Sequence, residues 1–170
     1  MQVPIRKGGK YTNTPKDPYI TQERYNALEA EIVSIKKRRP AVIEETQAHA
    51  AMGDFSENVE YQLAKRKLRG MNGAIERIEK ELKNAIIIPK DAKTDQVRIG
   101  HTVDILFNGK EKTFTILGAN EADPAKRIIS HLSPIGESLL GKKVGETFDA
   151  QINDKIIPCE IVHINSYIKK

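Results

Sequence analysis

The segment YQLAKRKLRGMNGAIERIEKEL, residues 61–82, decides the fold. Alternating steps of three and four select Tyr61, Ala64, Leu68, Met71, Ile75, Ile78 and Leu82. A mean apolar step of about 3.5 residues keeps one seam of a helix turned toward a partner helix. The partner lies upstream in YNALEAEIVSIKKRRPAVIEETQAH, residues 25–49, where the same steps select Tyr25, Leu28, Ile32, Ile35, Arg39, Val42, Thr46 and His49. A Gly53–Asp54 turn separates the two series, so they read as an antiparallel two-helix coiled-coil hairpin. Folding about that turn pairs Tyr25 with Leu82, Leu28 with Ile78, Ile32 with Ile75, Ile35 with Met71, Arg39 with Leu68, Val42 with Ala64 and Thr46 with Tyr61. The seam is then large and apolar at the base and small and polar toward the turn. About 30 residues per arm, at ~1.5 Å each, give a rod on the order of 45 Å long.

Working outward, Thr21 is placed to cap the first helix, with Glu23 complementing the dipole of its first turn. Pro40 removes a backbone donor, which predicts an interruption and a kink. Gly70 and Gly73 each weaken the second helix by about 1 kcal/mol relative to Ala. Residues 1–20 hold Pro4, Gly8, Gly9, Pro15 and Pro18 among polar side chains and read as a flexible arm. After NAIIIPKDAKTDQ, residues 84–96, the apolar period changes to two. HTVDILF (101–107) and KEKTFTIL (110–117) flank Asn108–Gly109, a strong hairpin signal. RIISHLS (127–133), ETFDAQI (146–152) and KIIPCEIVHI (155–164) also read as strands, the last two joined at Asn153–Asp154. SPIGESLLG (133–141) reads as a short helix, with Pro134 at its start and Gly141 at its end. The chain is thus α+β: an arm over 1–20, a hairpin over 21–84, and a small, mostly antiparallel β domain with one helix over 90–170.

The 170 residues carry a net charge of +5 and a pI of about 9.2, which admits a nucleic-acid partner without establishing one. The single Cys159 has no internal disulfide partner, which points to a reducing compartment. No run approaches the ~20 apolar residues of a bilayer span, and the N-terminus lacks the apolar middle of a signal peptide, so a cytoplasmic protein is expected. His49, His101, His131 and His163 are scattered, without zinc spacing. Neither LFNGKEK (106–112) nor ILGANEAD (116–123) has the form of a phosphate-binding loop, and no Ser/His/Asp or Cys/His constellation can be assembled.

The turn itself, AHAAMGDFSENVEYQ (48–62), holds three carboxylates and no base. Asp54 and Glu57 are spaced like an N-cap and its N3 partner, which is the simpler reading taken alone. Two observations weigh against stopping there. From Ala41 to Ala64 there are five acids and no Lys or Arg, while Lys36, Lys37, Arg38 and Arg39 on one arm oppose Lys65, Arg66, Lys67 and Arg69 on the other. Concentrated like charge costs stability until a polyanion arrives, and RNA or DNA phosphates fit. Mg²⁺ is commonly held by one or two carboxylates with waters and phosphate oxygens. The turn therefore offers part of a metal site, to be completed by another macromolecule.

GDFSENVEYQLAKRKLR (53–69), the KRRP of residues 37–40 and SPIGESLLGKKVGE (133–146) resemble the Gre family of bacterial transcript-cleavage factors. The likeness runs from YITQERYNALEAEI (19–32) to the C-terminus, and the dense bases after the turn resemble the GreB branch more than GreA. It implies a hairpin that enters the secondary channel of bacterial RNA polymerase and a β domain of FKBP-like fold that docks on the channel rim. It implies stimulated cleavage of the nascent RNA 3′ end in backtracked complexes by a monomer that is not itself an enzyme. Asp54 and Glu57 match the tip acids that help hold a second Mg²⁺ beside the polymerase's aspartates and orient the attacking water. Asn58 and Tyr61 match the motif without an assigned role, as does Ser56, while Phe55 is expected to pack against the hairpin end. The eight bases match a patch that engages extruded RNA, and Ser133, Pro134 and Ile135 match the polymerase-docking loop.

Two other classes stay open at this stage. One is a binding-class regulator that occupies the same channel and inhibits without cleavage. The intact spacing of Asp54 and Glu57 argues for cleavage instead. The other is a proline isomerase built on the β domain, for which the sequence offers no aromatic-lined pocket.

Overall fold

The computed structural model describes residues 17–51, 58–90, 95–152 and 155–167. Helix α1 spans Gln22–Ala51 and α2 spans Val59–Lys83. Thr21 caps α1 as expected: its Oγ1 accepts from the Arg24 amide at 3.2 Å. Pro40 does not interrupt the helix, which continues through it to Ala51. The buried side chains of the two helices are Leu28, Ile32, Ile35, Val42, Ala64 and Ile78, every one drawn from the two apolar series. Tyr25, Met71, Ile75 and Leu82 close around the basal part of that seam. Burying such side chains contributes about 1.5–3 kcal/mol each, and this, rather than helix propensity, holds the arms together.

Residues 17–20, expected to belong to the arm, are built into the fold. Tyr19–Ile20 form strand β1, paired in parallel with β2 at Ile86–Ile87. The apolar run Ile86–Ile88 emerging from α2 supplies the reason. Its amides at Ile86 and Ile88 donate to the carbonyls of Pro18 and Ile20, and Ile20 is buried at the foot of the seam.

The β domain contains β3 (His101–Phe107), β4 (Lys110–Leu117), β5 (Ile128–Ser130), helix α3 (Pro134–Leu139), β6 (Thr147–Ile152) and β7 (Lys155–Ser166). The sheet order is β5-β4-β3-β7-β6. The β3–β4 turn has Asn108 at φ 51° and Gly109 at φ 74°, the left-handed pair that a two-residue hairpin requires. The expected mostly antiparallel sheet is found, with one parallel pairing. β5 runs parallel to β4, so the sheet is mixed. Two short 3-10 turns, Ala119–Glu121 and Pro124–Lys126, carry the chain back before β5 begins, and a returned chain must pair in parallel. β5 is also shorter than the run RIISHLS, because the chain turns at His131 into α3. Val97, Val103, Ile105, Ile116, Leu139, Ala150, Cys159 and Ile161 form a core separate from that of the hairpin.

Candidate functional site

Asp54, Phe55, Ser56 and Glu57 lie outside the described residues, and so does the expected packing of Phe55. What surrounds that turn is clear. The N-cap of α2 is Asn58, whose Oδ1 accepts from the Tyr61 amide at 2.9 Å. This corrects the capping reading of Asp54 and Glu57: the helix start takes its cap one residue after Glu57. Asn58 also donates from Nδ2 to the His49 carbonyl at 3.0 Å, bracing the two arms where they approach the turn. Tyr61 is half-buried on the first turn of α2, with the Lys65 ammonium 5.3 Å from its ring centroid. Among the described residues, no group of three or more His, Cys, Asp or Glu is placed to hold a metal.

The bases do not form a uniform patch. Lys36 pairs with Glu79 at 2.8 Å and Lys67 with Glu45 at 3.1 Å, both across the hairpin. Arg39 donates from Nε to Asn72 at 2.8 Å and is partly covered. Arg38 donates from Nε to the Ser34 carbonyl one turn back. Lys37, Arg66 and Arg69 are exposed and have no ion-pair partner among the described residues. Exposed ion pairs contribute little to stability, but they lower the local positive field where they occur. The strongest attraction for a polyanion therefore falls on Lys37, Arg38, Arg66 and Arg69.

In the β domain, Ser133 is the N-cap of α3, accepting from the Gly136 amide at 3.1 Å and donating to the Ser130 carbonyl at 2.7 Å. Ile135 packs against the sheet core. Of the three expected docking residues only Pro134 is exposed, and it adjoins Leu132, an apolar side chain 58% exposed. Sequence reading missed Leu132 because alternation placed it within a strand. A separate open groove of about 500 Å³ is lined by Leu106, Gly109, Thr147, Phe148, Asp149, Pro158, Cys159 and Glu160. Phe148 is its single aromatic, so the groove lends nothing to a proline-isomerase reading.

The described residues thus form a two-helix hairpin with a split basic flank, joined to a small mixed sheet beside which Leu132 is exposed. Comparison with known proteins gives the family. The model for the N-terminal region of the transcription elongation factors matches residues 18–87, and the GreA/GreB C-terminal model matches residues 92–166. Transcription elongation factor GreA of Caldanaerobacter subterraneus subsp. tengcongensis is 40% identical over 153 residues, covering 88% of this chain and 98% of the relative. That of Macrococcus caseolyticus is 38% identical over 154 residues, with the same coverage. The crystal structure of GreA factor homolog 1 of Thermus thermophilus matches with a TM-score of 0.39 at 20% identity, covering 86% of this chain and 97% of that one. The chain belongs to the GreA/GreB family of transcription elongation factors. These curated relatives bear the GreA name and give no support to the expected leaning toward GreB.

Proposed function

We propose that this protein enters the secondary channel of bacterial RNA polymerase and stimulates endonucleolytic cleavage of the nascent RNA 3′ end in backtracked complexes. The β domain docks on the channel rim and the hairpin carries Asp54 and Glu57 inward. The observation that carries this reading is the cap of α2. Asn58 is the N-cap of α2, so Asp54 and Glu57 are not the N-cap and N3 residues of that helix. Their donor chemistry fits Mg²⁺, a hard ion that takes carboxylate oxygens, but two carboxylates fall short of its six positions. Asp54 and Glu57 would hold it jointly with the polymerase's own aspartates. When bound there, the ion supplies charge neutralisation and a more acidic water. The acids themselves orient that water, and either can accept its proton. The exposed bases Lys37, Arg38, Arg66 and Arg69 hold the extruded RNA. In this reading the protein is a monomeric, cytoplasmic cofactor of the polymerase and performs no chemistry alone.

The test is a halted bacterial elongation complex, backtracked by several nucleotides, with RNA labelled at its 5′ end. Adding the protein with Mg²⁺ should shorten the transcript, and Asp54→Asn or Glu57→Gln should reduce the rate by about a hundredfold or more while polymerase binding persists. Undiminished full-length RNA, with the protein bound, would instead make it a non-cleaving regulator of the channel.

A further inference from the structure

We propose that Glu121 is a positioning residue which, together with Asp17, fixes the direction in which the hairpin leaves the β domain. The 3-10 turn Ala119–Glu121 follows β4 after Gly118, and each of its three residues bonds the short strap Asp17–Thr21. Glu121 holds the cap of α1 with both carboxylate oxygens: the Thr21 amide donates to Oε2 at 2.7 Å and the Thr21 hydroxyl to Oε1 at 2.6 Å. The same hydroxyl accepts from the Arg24 amide, so the carboxylate joins the first turn of the helix directly. Asp17 reaches back the other way, accepting from the Ala119 amide at 2.5 Å and from its own strap at the Tyr19 amide at 3.2 Å. The Asn120 side chain donates to the Asp17 carbonyl at 3.3 Å.

The approach is too close for a side chain at residue 118. A Cβ on Gly118 would stand 1.9 Å from the Tyr19 carbonyl oxygen. The Tyr19 ring of the same strap meets the buried His131 edge-on at a centroid distance of 5.4 Å. Contacts spanning about a hundred residues of sequence thus converge on the base of a long rod.

Geometry gives these bonds an effect beyond their energy. The helix dipole already favours a carboxylate at its N-terminus, but a two-oxygen hold on one residue also fixes its orientation. With a rod of ~45 Å, a tilt of about 10° at the base moves the far end by about 8 Å. Displacements far smaller than this remove catalytic alignment. The stretch ILGANEAD, which has no phosphate-loop character, acquires its role here. The effect on cleavage rests on the function proposed above. The geometric claim does not.

The experiment places spin labels at Gln47→Cys and Glu111→Cys, both exposed positions, in a Cys159→Ala background, and measures their distance distribution. We expect one narrow distribution for the parent chain and a clearly broader or shifted one for Glu121→Ala and for Glu121→Asp, which is too short to reach both Thr21 groups. Glu121→Gln, which keeps reach and can bond both groups, should restore the parent distribution. In the transcript assay, Glu121→Asp should lower the maximal cleavage rate about tenfold or more while polymerase affinity holds. Helical circular dichroism checks folding. If the alanine variant fails to fold, the aspartate and glutamine variants decide the matter. An unchanged distance distribution in the folded variants overturns the proposal, whereas a broadened one with full cleavage upholds the joint and removes its link to cleavage. A parent chain that shortens no transcript defeats the functional reading, and the distances alone then judge the joint.

Discussion

At the residue scale, Asn58 joins two tasks in one side chain, capping α2 through Oδ1 and bracing α1 through Nδ2. Asn58→Asp keeps the first and loses the second, whereas Asn58→Ala loses both. Urea unfolding should show Asn58→Ala less stable by about 1–2 kcal/mol, with Asn58→Asp between it and the parent. Cys159 offers a second test. It is buried, and burial pushes its thiol above the ordinary cysteine value. Its folded-state value exceeds the unfolded one, so its contribution to stability is full below about pH 8.5 and is lost as pH rises through the raised value. Alkylation at neutral pH should be at least about tenfold slower in the native protein than in denaturant.

At the scale of elements, the hairpin follows directly from its apolar steps, because a seam of Leu and Ile has few other ways to leave water. The polar part of the rod did not follow so simply. Eight bases read alike in the sequence, but Glu79, Glu45 and Asn72 on the opposing arms occupy Lys36, Lys67 and Arg39. Converting Lys37, Arg38, Arg66 and Arg69 to Gln should therefore slow cleavage of extensively backtracked complexes more than converting Lys36 and Lys67. Transcript shortening as a function of backtrack length measures the difference. Equal effects would mean that the cross-hairpin pairs open in use. Helix α3 was legible for the opposite reason: Pro134 and Gly141 carry local conformational preferences, and the structure uses both where expected.

At the scale of the whole molecule, the hairpin and the β domain have separate cores, joined by the polar contacts of Asp17 and Glu121, the Tyr19–His131 ring contact and the approach of Ile88 to Gly100. On the proposed function, docking and chemistry can therefore be perturbed separately. Leu132→Ser with Pro134→Ala should raise the protein concentration needed for half-maximal cleavage about tenfold. The rate at saturation should stay near that of the parent chain. A titration of transcript shortening distinguishes this from loss of fold, which would lower the plateau.

The sequence by itself determined what repeats or acts locally: the two seam series, the period change near residue 90, the Asn108–Gly109 turn and the ends of α3. It also marked Asp54 and Glu57 as unusual and carried the resemblance to the family. Tertiary structure alone decided that β5 lies parallel to β4, that Tyr19–Ile20 pair with Ile86–Ile87, and that Glu121 holds Thr21. These contacts join segments tens to a hundred residues apart, and no periodicity records them. A lone Glu in a loop looks solvated until the chain folds back and brings a helix start against it.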